Sequence, residues 1–366
     1  MKKYIFLFTA LSFVSLQAQT IRKYSNEFLN IGVDARSFGM GNAVVANIGN
    51  ANASYWNPAG LTEVYWGVDA TAMHAEYFQS LAKFDYAAVA IPLRENNSTI
   101  AISLMRFGVD DILNTTQLID NQGNINYDKI TKFSSADYAL TMSYAGYFLG
   151  NKNIQVGANA KVVYRHIGKF ATGIGFGLDL GLQYRAEDDW FFGVMARDIT
   201  TTFNAWKINY NEVKRIEIDE PSGDESVVLN DLPAEGTELT LPKLQLGVGK
   251  KHDFDDRWSL LAEFDMQMEF QKTNAVIGSS GLSINPMLGV ELGFDDMVFV
   301  RGGLNNLQKI QQFDGNFKTN IQPNIGLGFK YGGISIDYAL TNFGNQGLGL
   351  YSNIFSLRMN FGYLKR

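Results

Sequence analysis

The chain has 366 residues, of which 46% are hydrophobic and 19% charged, with a net charge of −6 and no cysteine. This balance excludes wholesale disorder and argues against a general nucleic-acid binder. The missing thiol excludes disulfides, thiolate metal ligands and a lipidated N-terminal cysteine.

Met1-Lys2-Lys3 followed by the apolar run Tyr4–Leu16 and a small residue at Ala18 reads as a secretory signal peptide over residues 1–18. No other stretch approaches the roughly 20 apolar residues that a membrane helix needs. Residues 19–64 then lack strand alternation. They are rich in small residues, contain one short helical stretch and carry an Asn57-Pro58 turn signal.

From residue 65 onward the chain alternates with period two. Ile154, Val156, Ala158, Ala160, Val162 and Tyr164 oppose Gln155, Gly157, Asn159, Lys161 and Arg165. The runs from Ile174, Trp258, Ile321 and Phe355 do the same. Alternation over about ten residues gives a strand with one apolar and one polar face, of the length needed to cross a membrane at a tilt. Fourteen strands are expected, near 65–78, 81–93, 97–109, 133–149, 153–168, 172–186, 189–200, 240–252, 256–271, 284–295, 297–307, 320–332, 333–342 and 351–364. The first two alternate poorly. Tight connections alternate with long ones at 110–132, 201–239, 272–283, 308–319 and 343–350. Only 79–80 and 169–171 break that rhythm.

Sorting loop lengths by side is the topology of an outer-membrane barrel. The expected fold is therefore all-β, a transmembrane antiparallel barrel of about 14 strands spanning 65–366, with the final strand closing the wall. Aromatics near strand ends (Trp66, Trp190, Trp258, Tyr184, Tyr331, Tyr338 and Tyr351) suit interfacial girdles. A barrel of this size is too wide for wall side chains to fill, so residues 19–64 are the expected plug.

The run ARSFGMGNAVVA at 35–46, followed by YWNPAGL at 55–61, resembles the N-terminal signature of FadL-like outer-membrane proteins. It is more similar still to that of the PorV/PorQ family of the type IX secretion system. The resemblance implies a fourteen-stranded barrel with its N-terminal segment folded inside, and makes Gly39, Met40, Gly41, Trp56, Asn57, Pro58 and Ala59 the hatch motif. It implies one of two functions. In the first, preferred from sequence, outer loops bind type IX machinery or cargo bearing a C-terminal sorting domain. In the alternative, the barrel transports hydrophobic small molecules across the outer membrane. A passive structural barrel or adhesin is a third reading.

No enzymatic activity, cofactor or metal is expected. His74, His166 and His252 lack ligand spacing, and no nucleophile motif occurs. Gly173-x-Gly175-x-Gly177 alternates on one strand, so it reads as small inward residues rather than a phosphate loop. Glu263 and Asp265 share a polar face and could serve an enzyme as acid and base. A water-lined lumen explains them better, together with Lys161, Arg165, Asp179, Arg185, Arg301 and Asp337. The connection 201–239 carries nine acids against three bases. Among its acids, Glu212, Glu217, Asp219, Glu220, Asp224 and Glu225 are candidates for docking a basic partner by long-range attraction. A solvated loop is the equally weighted alternative.

Overall fold

The computed structural model describes residues 26–77, 80–119, 123–212, 216–219, 226–230, 236–312, 314–342 and 351–363. The expected signal peptide lies outside them, as do Glu220, Asp224 and Glu225.

Fourteen antiparallel strands form one closed wall. They are β1 Asp69–Tyr77, β2 Ala82–Leu93, β3 Ser98–Asn114, β4 Thr131–Phe148, β5 Asn151–Ile167, β6 Ala171–Arg185, β7 in two segments (Trp190–Arg197 and Thr202–Ile208) and β8 in two segments (Thr237–Thr240 and Lys243–Asp253). They continue with β9 Trp258–Glu269, β10 Ser283–Phe294, β11 Val298–Gln311, β12 Phe317–Tyr331, β13 Ile334–Asn342 and β14 Tyr351–Asn360. Each strand pairs with the next, and β14 closes on β1 from Asp69↔Asn360 to Glu76↔Asn353. A two-residue strand, Ile277–Gly278, pairs with the start of β10, and a separate hairpin joins Ile216–Asp219 to Ser226–Asn230.

Two expectations need correction. The connection 201–239 is not all loop, because its two ends, Thr202–Ile208 and Thr237–Thr240, pair with each other as wall. The interruptions responsible lie side by side. Asp198 and Thr201 adopt positive φ in β7, while Leu241-Pro242 breaks β8, where proline has no N–H for the ladder. Likewise the gap 308–319 shrinks because β11 reaches Gln311 and β12 begins at Phe317. The first strand starts at Asp69, after Gly67 at φ +86 turns the chain.

While the short β1–β2 and β5–β6 connections lie at one end, most tight connections close the other. Leu149–Gly150, Asp188–Asp189, Asp295–Asp296 and Gly332–Gly333 each place two consecutive residues at positive φ, which matches the right-handed twist of the flanking strands. At this end Trp66, Tyr184, Trp190, Trp258 and Tyr331 are exposed. Rings stack between Trp190 and Phe192 and pack between Trp258 and Phe294. This is an interfacial girdle. Toward the other end β3, β4, β5 and β6 run 17, 18, 17 and 15 residues. Roughly 9–11 residues cross a bilayer, so the wall continues beyond it.

The outer face between the ends is apolar. Ile174, Phe176, Leu180 and Leu182 on β6 and Ile321, Ile325, Leu327 and Phe329 on β12 all project outward and exposed. Water would disfavour so continuous an apolar surface, whereas lipid accommodates it. One sector inverts the pattern. On β1–β3 the inner residues Met73, Ala75, Phe84, Tyr86 and Met105 are apolar and buried. The outer residues of the loop-side half are charged and linked. His74 lies 2.7 Å from Asp85, Arg106 lies 3.5 Å from Asp85, and Lys83 lies 3.6 Å from Asp110.

Candidate functional site

Residues 26–64 fill the lumen. Four short turns organise them: a 3₁₀ turn Glu27–Asn30, α1 Ala35–Gly39, α2 Ala53–Trp56 and a 3₁₀ turn Pro58–Glu63. None is long enough to be stable alone in water. Burial holds them, with Phe38, Met40, Ile48 and Leu61 nearly inaccessible. The Trp56 indole donates to the Val33 carbonyl at 3.0 Å, and the Tyr55 hydroxyl donates to the Leu29 carbonyl at 2.8 Å. Burial pushes the Tyr55 phenol above its ordinary pKa, keeping it a neutral donor. The Arg197 guanidinium from β7 lies 4.5 Å from the Tyr55 ring centroid.

The segment meets the wall backbone to backbone. A Cβ on Gly303 would lie 2.1 Å from the Gly41 nitrogen, and one on Gly157 would lie 2.5 Å from the Pro58 carbonyl carbon. Gly39 sits against Gly326, and Met40 against Gly289. Gly41 itself takes φ +62, a conformation glycine adopts without strain. The motif Gly39-Met40-Gly41 is thus the part of the segment that approaches β10–β12 most closely. Gly173, Gly175 and Gly177 also point inward, but they face Trp206, Asn204 and Thr202 of β7.

Polar wall residues satisfy the segment's exposed backbone. Asp265 accepts from the Val44 and Val45 amides, each at 3.1 Å, and Glu263 accepts from the Ala46 amide at 2.6 Å. Gln183 donates to the carbonyls of Val45 and Ile48. Asn57 plays two roles. Its side-chain oxygen caps the following turn by accepting from the Ala59 amide at 3.2 Å, with Pro58 at the first turn position. Its amide donates to the Val45 carbonyl at 2.9 Å and the Leu182 carbonyl of β6 at 3.1 Å. Trp56 packs inside the segment, and Ala59 is fully buried.

An ion-pair chain fastens α1. Arg36 grips Glu291 of β10 at 2.9 and 3.1 Å, Glu291 also accepts from Arg301 of β11 at 2.5 Å, and Arg301 donates to Asp337 of β13 at 2.7 Å. Burial opposes the Arg36 charge, but the charge and hydrogen bonds of Glu291 more than offset it, so the guanidinium titrates above its ordinary value. On the other side Lys161 lies 2.8 Å from Asp179 and 2.6 Å from Asp198. Arg165 bridges Asp137 and Glu238, and Arg185 bridges Glu63 of the segment at 3.1 Å. Asp69, fully buried at the seam, accepts from the Ala51 amide at 3.0 Å and from Arg358 and Asn360 of β14.

The eight polar-face residues named from sequence therefore all project inward, split between seating the segment and bracing the wall. The acidic connection is more divided. Glu212 is exposed just past β7, Glu217 and Asp219 fall in the hairpin, and Glu238 points inward to Arg165. Sequence reasoning missed Arg36, Glu291, Asp198 and Asp69. Glu291 was findable, since it alternates inward with Gly289 and Gly293.

Cavities flank the segment toward both ends. One of about 300 Å³ opens toward the tight-turn end, where it is lined by Arg36, Glu63, Arg185, Lys330 and Arg358 among others. Farther from that end lies a pocket of about 20 Å³ between Leu29, Tyr55, Tyr86, Met105 and Arg197, room for little more than one water. No group of three or more His, Asp or Glu side chains suited to a metal occurs among the described residues.

No protein-family model matches the chain, and no curated protein sequence does. Solved structures do. The toluene transporter TodX of P. putida superposes with TM-score 0.55 at 13% identity, covering 90% of this chain and 99% of that one. The toluene transporter TbuX of Ralstonia pickettii gives 0.53 at 14%, covering 90% and 98%. A Pseudomonas aeruginosa FadL homologue gives 0.52 at 12%, covering 90% and 98%. Residues 65–366 alone could not supply 90% of the chain, so the likeness extends into the N-terminal region. The chain has the fold of a FadL-like outer-membrane β-barrel.

Proposed function

We propose that this barrel passes hydrophobic small molecules across the outer membrane, with residues 26–64 as its closure. The carrying observation is the likeness to barrels described as toluene transporters, over nine-tenths of this chain and nearly all of theirs. The lumen geometry is compatible with it. The segment is held by hydrogen bonds and ion pairs on every side, with no covalent tie other than the chain itself. A shift of that segment would widen the small pocket beside Tyr55, Tyr86 and Met105, whose lining combines these groups with the polar Asn159, Lys161, Asp179 and Arg197. Nothing in this mechanism needs catalysis. The side chains bind, orient and exclude water.

The test is uptake by liposomes carrying the purified barrel, with toluene and a long-chain fatty acid as probes, beside mass spectrometry of molecules carried through purification. Entry no faster than into protein-free liposomes, with no bound apolar molecule, would sink the proposal.

The second reading is a type IX secretion role. It rests on the resemblance of 35–46 and 55–61 and on the acidic connection after β7. Its partners would be secretion machinery or cargo with a C-terminal sorting domain. Affinity purification from native outer membranes separates the two readings: co-purifying machinery favours secretion, and a partner-free barrel with bound lipid favours transport.

A further inference from the structure

One surface feature is independent of what crosses the lumen. At the long-connection end, His166 of β5, Thr172 of β6 and Lys207 of β7 occupy one register row. They alternate with the inward residues Arg165, Gly173 and Ile208, so the row lies on the outer face. Lys169, in the turn joining β5 to β6, stands beside it. Together with Asn209 and Tyr210 these residues line an open groove of about 840 Å³. Among the described residues neither lysine makes an ion pair, and Glu212 is the one acid lining the groove. The His166 Nδ1 atom is buried with no hydrogen-bond partner among the described residues.

What lies next to the groove identifies its occupant. The adjoining outer row is Tyr164, Ile174 and Ala205, and the one beyond it is Val162, Phe176 and Phe203. Tyr164, Ile174, Val162, Phe176 and Phe203 are all exposed on the apolar face. Tyr164 also packs against Tyr138 and stacks with His166. The basic row therefore stands where the apolar band ends, at headgroup height. A free anion would gain from the lysines alone. A lipid gains from the lysines and from the apolar rows continuous with them.

We propose that this rim groove is a binding site for an anionic, phosphate-bearing lipid of the outer leaflet. The phosphate sits between the Lys169 and Lys207 ammonium groups, with the acyl chains along Tyr164, Ile174, Phe176 and Phe203.

The delipidated full-length barrel is titrated with phosphatidylglycerol, phosphatidylcholine and inorganic phosphate, and binding is read by native mass spectrometry. Phosphatidylglycerol binds the wild type in preference to phosphatidylcholine and far better than inorganic phosphate. Joint Lys169→Ala and Lys207→Ala substitution weakens it roughly 30-fold, from the contribution of two surface lysines to anionic-lipid attraction. Arginine at both positions retains it. Both lysines are at the rim, and heat-dependent gel migration checks that each variant is folded. Equal binding by wild type and the double alanine variant overturns the proposal. Inorganic phosphate binding as tightly as phosphatidylglycerol also overturns it, since the groove would then be a free-anion site.

Discussion

Glu291 on β10 accepts from two nitrogens of the Arg36 guanidinium, Nε at 2.9 Å and Nη2 at 3.1 Å, although 255 residues separate them in the chain. The contact ties the lumen segment to the wall by a charge-assisted fork. Replacing Glu291 by alanine leaves Arg36 and Arg301 buried and facing each other. Breaking a buried pair in this way costs about 3–5 kcal/mol. The expected result is a lower thermal midpoint and new protease cleavage within 26–64. Adding Arg36→Met should recover much of the loss, because Arg301 keeps Asp337. A double variant no more stable than the single one would refute this coupling.

The glycine seats give a second prediction. Gly303→Val drives a side chain into Gly41, at a cost of about 1–3 kcal/mol or more. Gly302, its neighbour, has nothing within 4 Å of an added Cβ, so Gly302→Val should be almost silent in the same unfolding assay.

Asn57 allows its two roles to be separated. Aspartate is as good a cap as asparagine, but its carboxylate would face the carbonyls of Val45 and Leu182. If the wall contacts matter, Asn57→Asp should raise the conductance of the barrel in planar bilayers more than Asn57→Ala does. The reverse order would mean that capping is the whole of its role.

Depth across the wall is testable on β12. Ile325→Arg places a charge on the outer face near mid-height and should cost about 2–4 kcal/mol, whereas Phe317→Arg at the long-connection end should cost about 0–1 kcal/mol. Refolding into vesicles followed by denaturant titration measures both. Equal costs would place the bilayer elsewhere on the wall.

The strands most readable from sequence were those with lipid on one side and polar lumen on the other. Ile154–Arg165 and Ile174–Arg185 alternate for that reason. β1 and β2 resisted because Met73, Phe84 and Tyr86 pack inward on the lumen segment while His74, Asp85 and Lys83 face out, so polarity no longer marks the face. The break in β7 was invisible because Asp198 is held by Lys161, a partner 37 positions away in the chain. Arg36 stood inside the motif that drew attention to the segment, yet its role depends on Glu291. No local pattern announces a pairing at that separation.

Asp69 bears on how such a molecule is put together. It is the first residue of the first strand, and it is shared by the lumen segment through Ala51 and by the last strand through Arg358 and Asn360. A wall that zipped shut without the segment would leave this carboxylate its two partners on the last strand, Arg358 and Asn360, and deprive it of the third, the Ala51 amide. Completion of the seam and seating of the segment thereby draw on one side chain. The last joint of the wall and the chain folded within it meet at a single carboxylate.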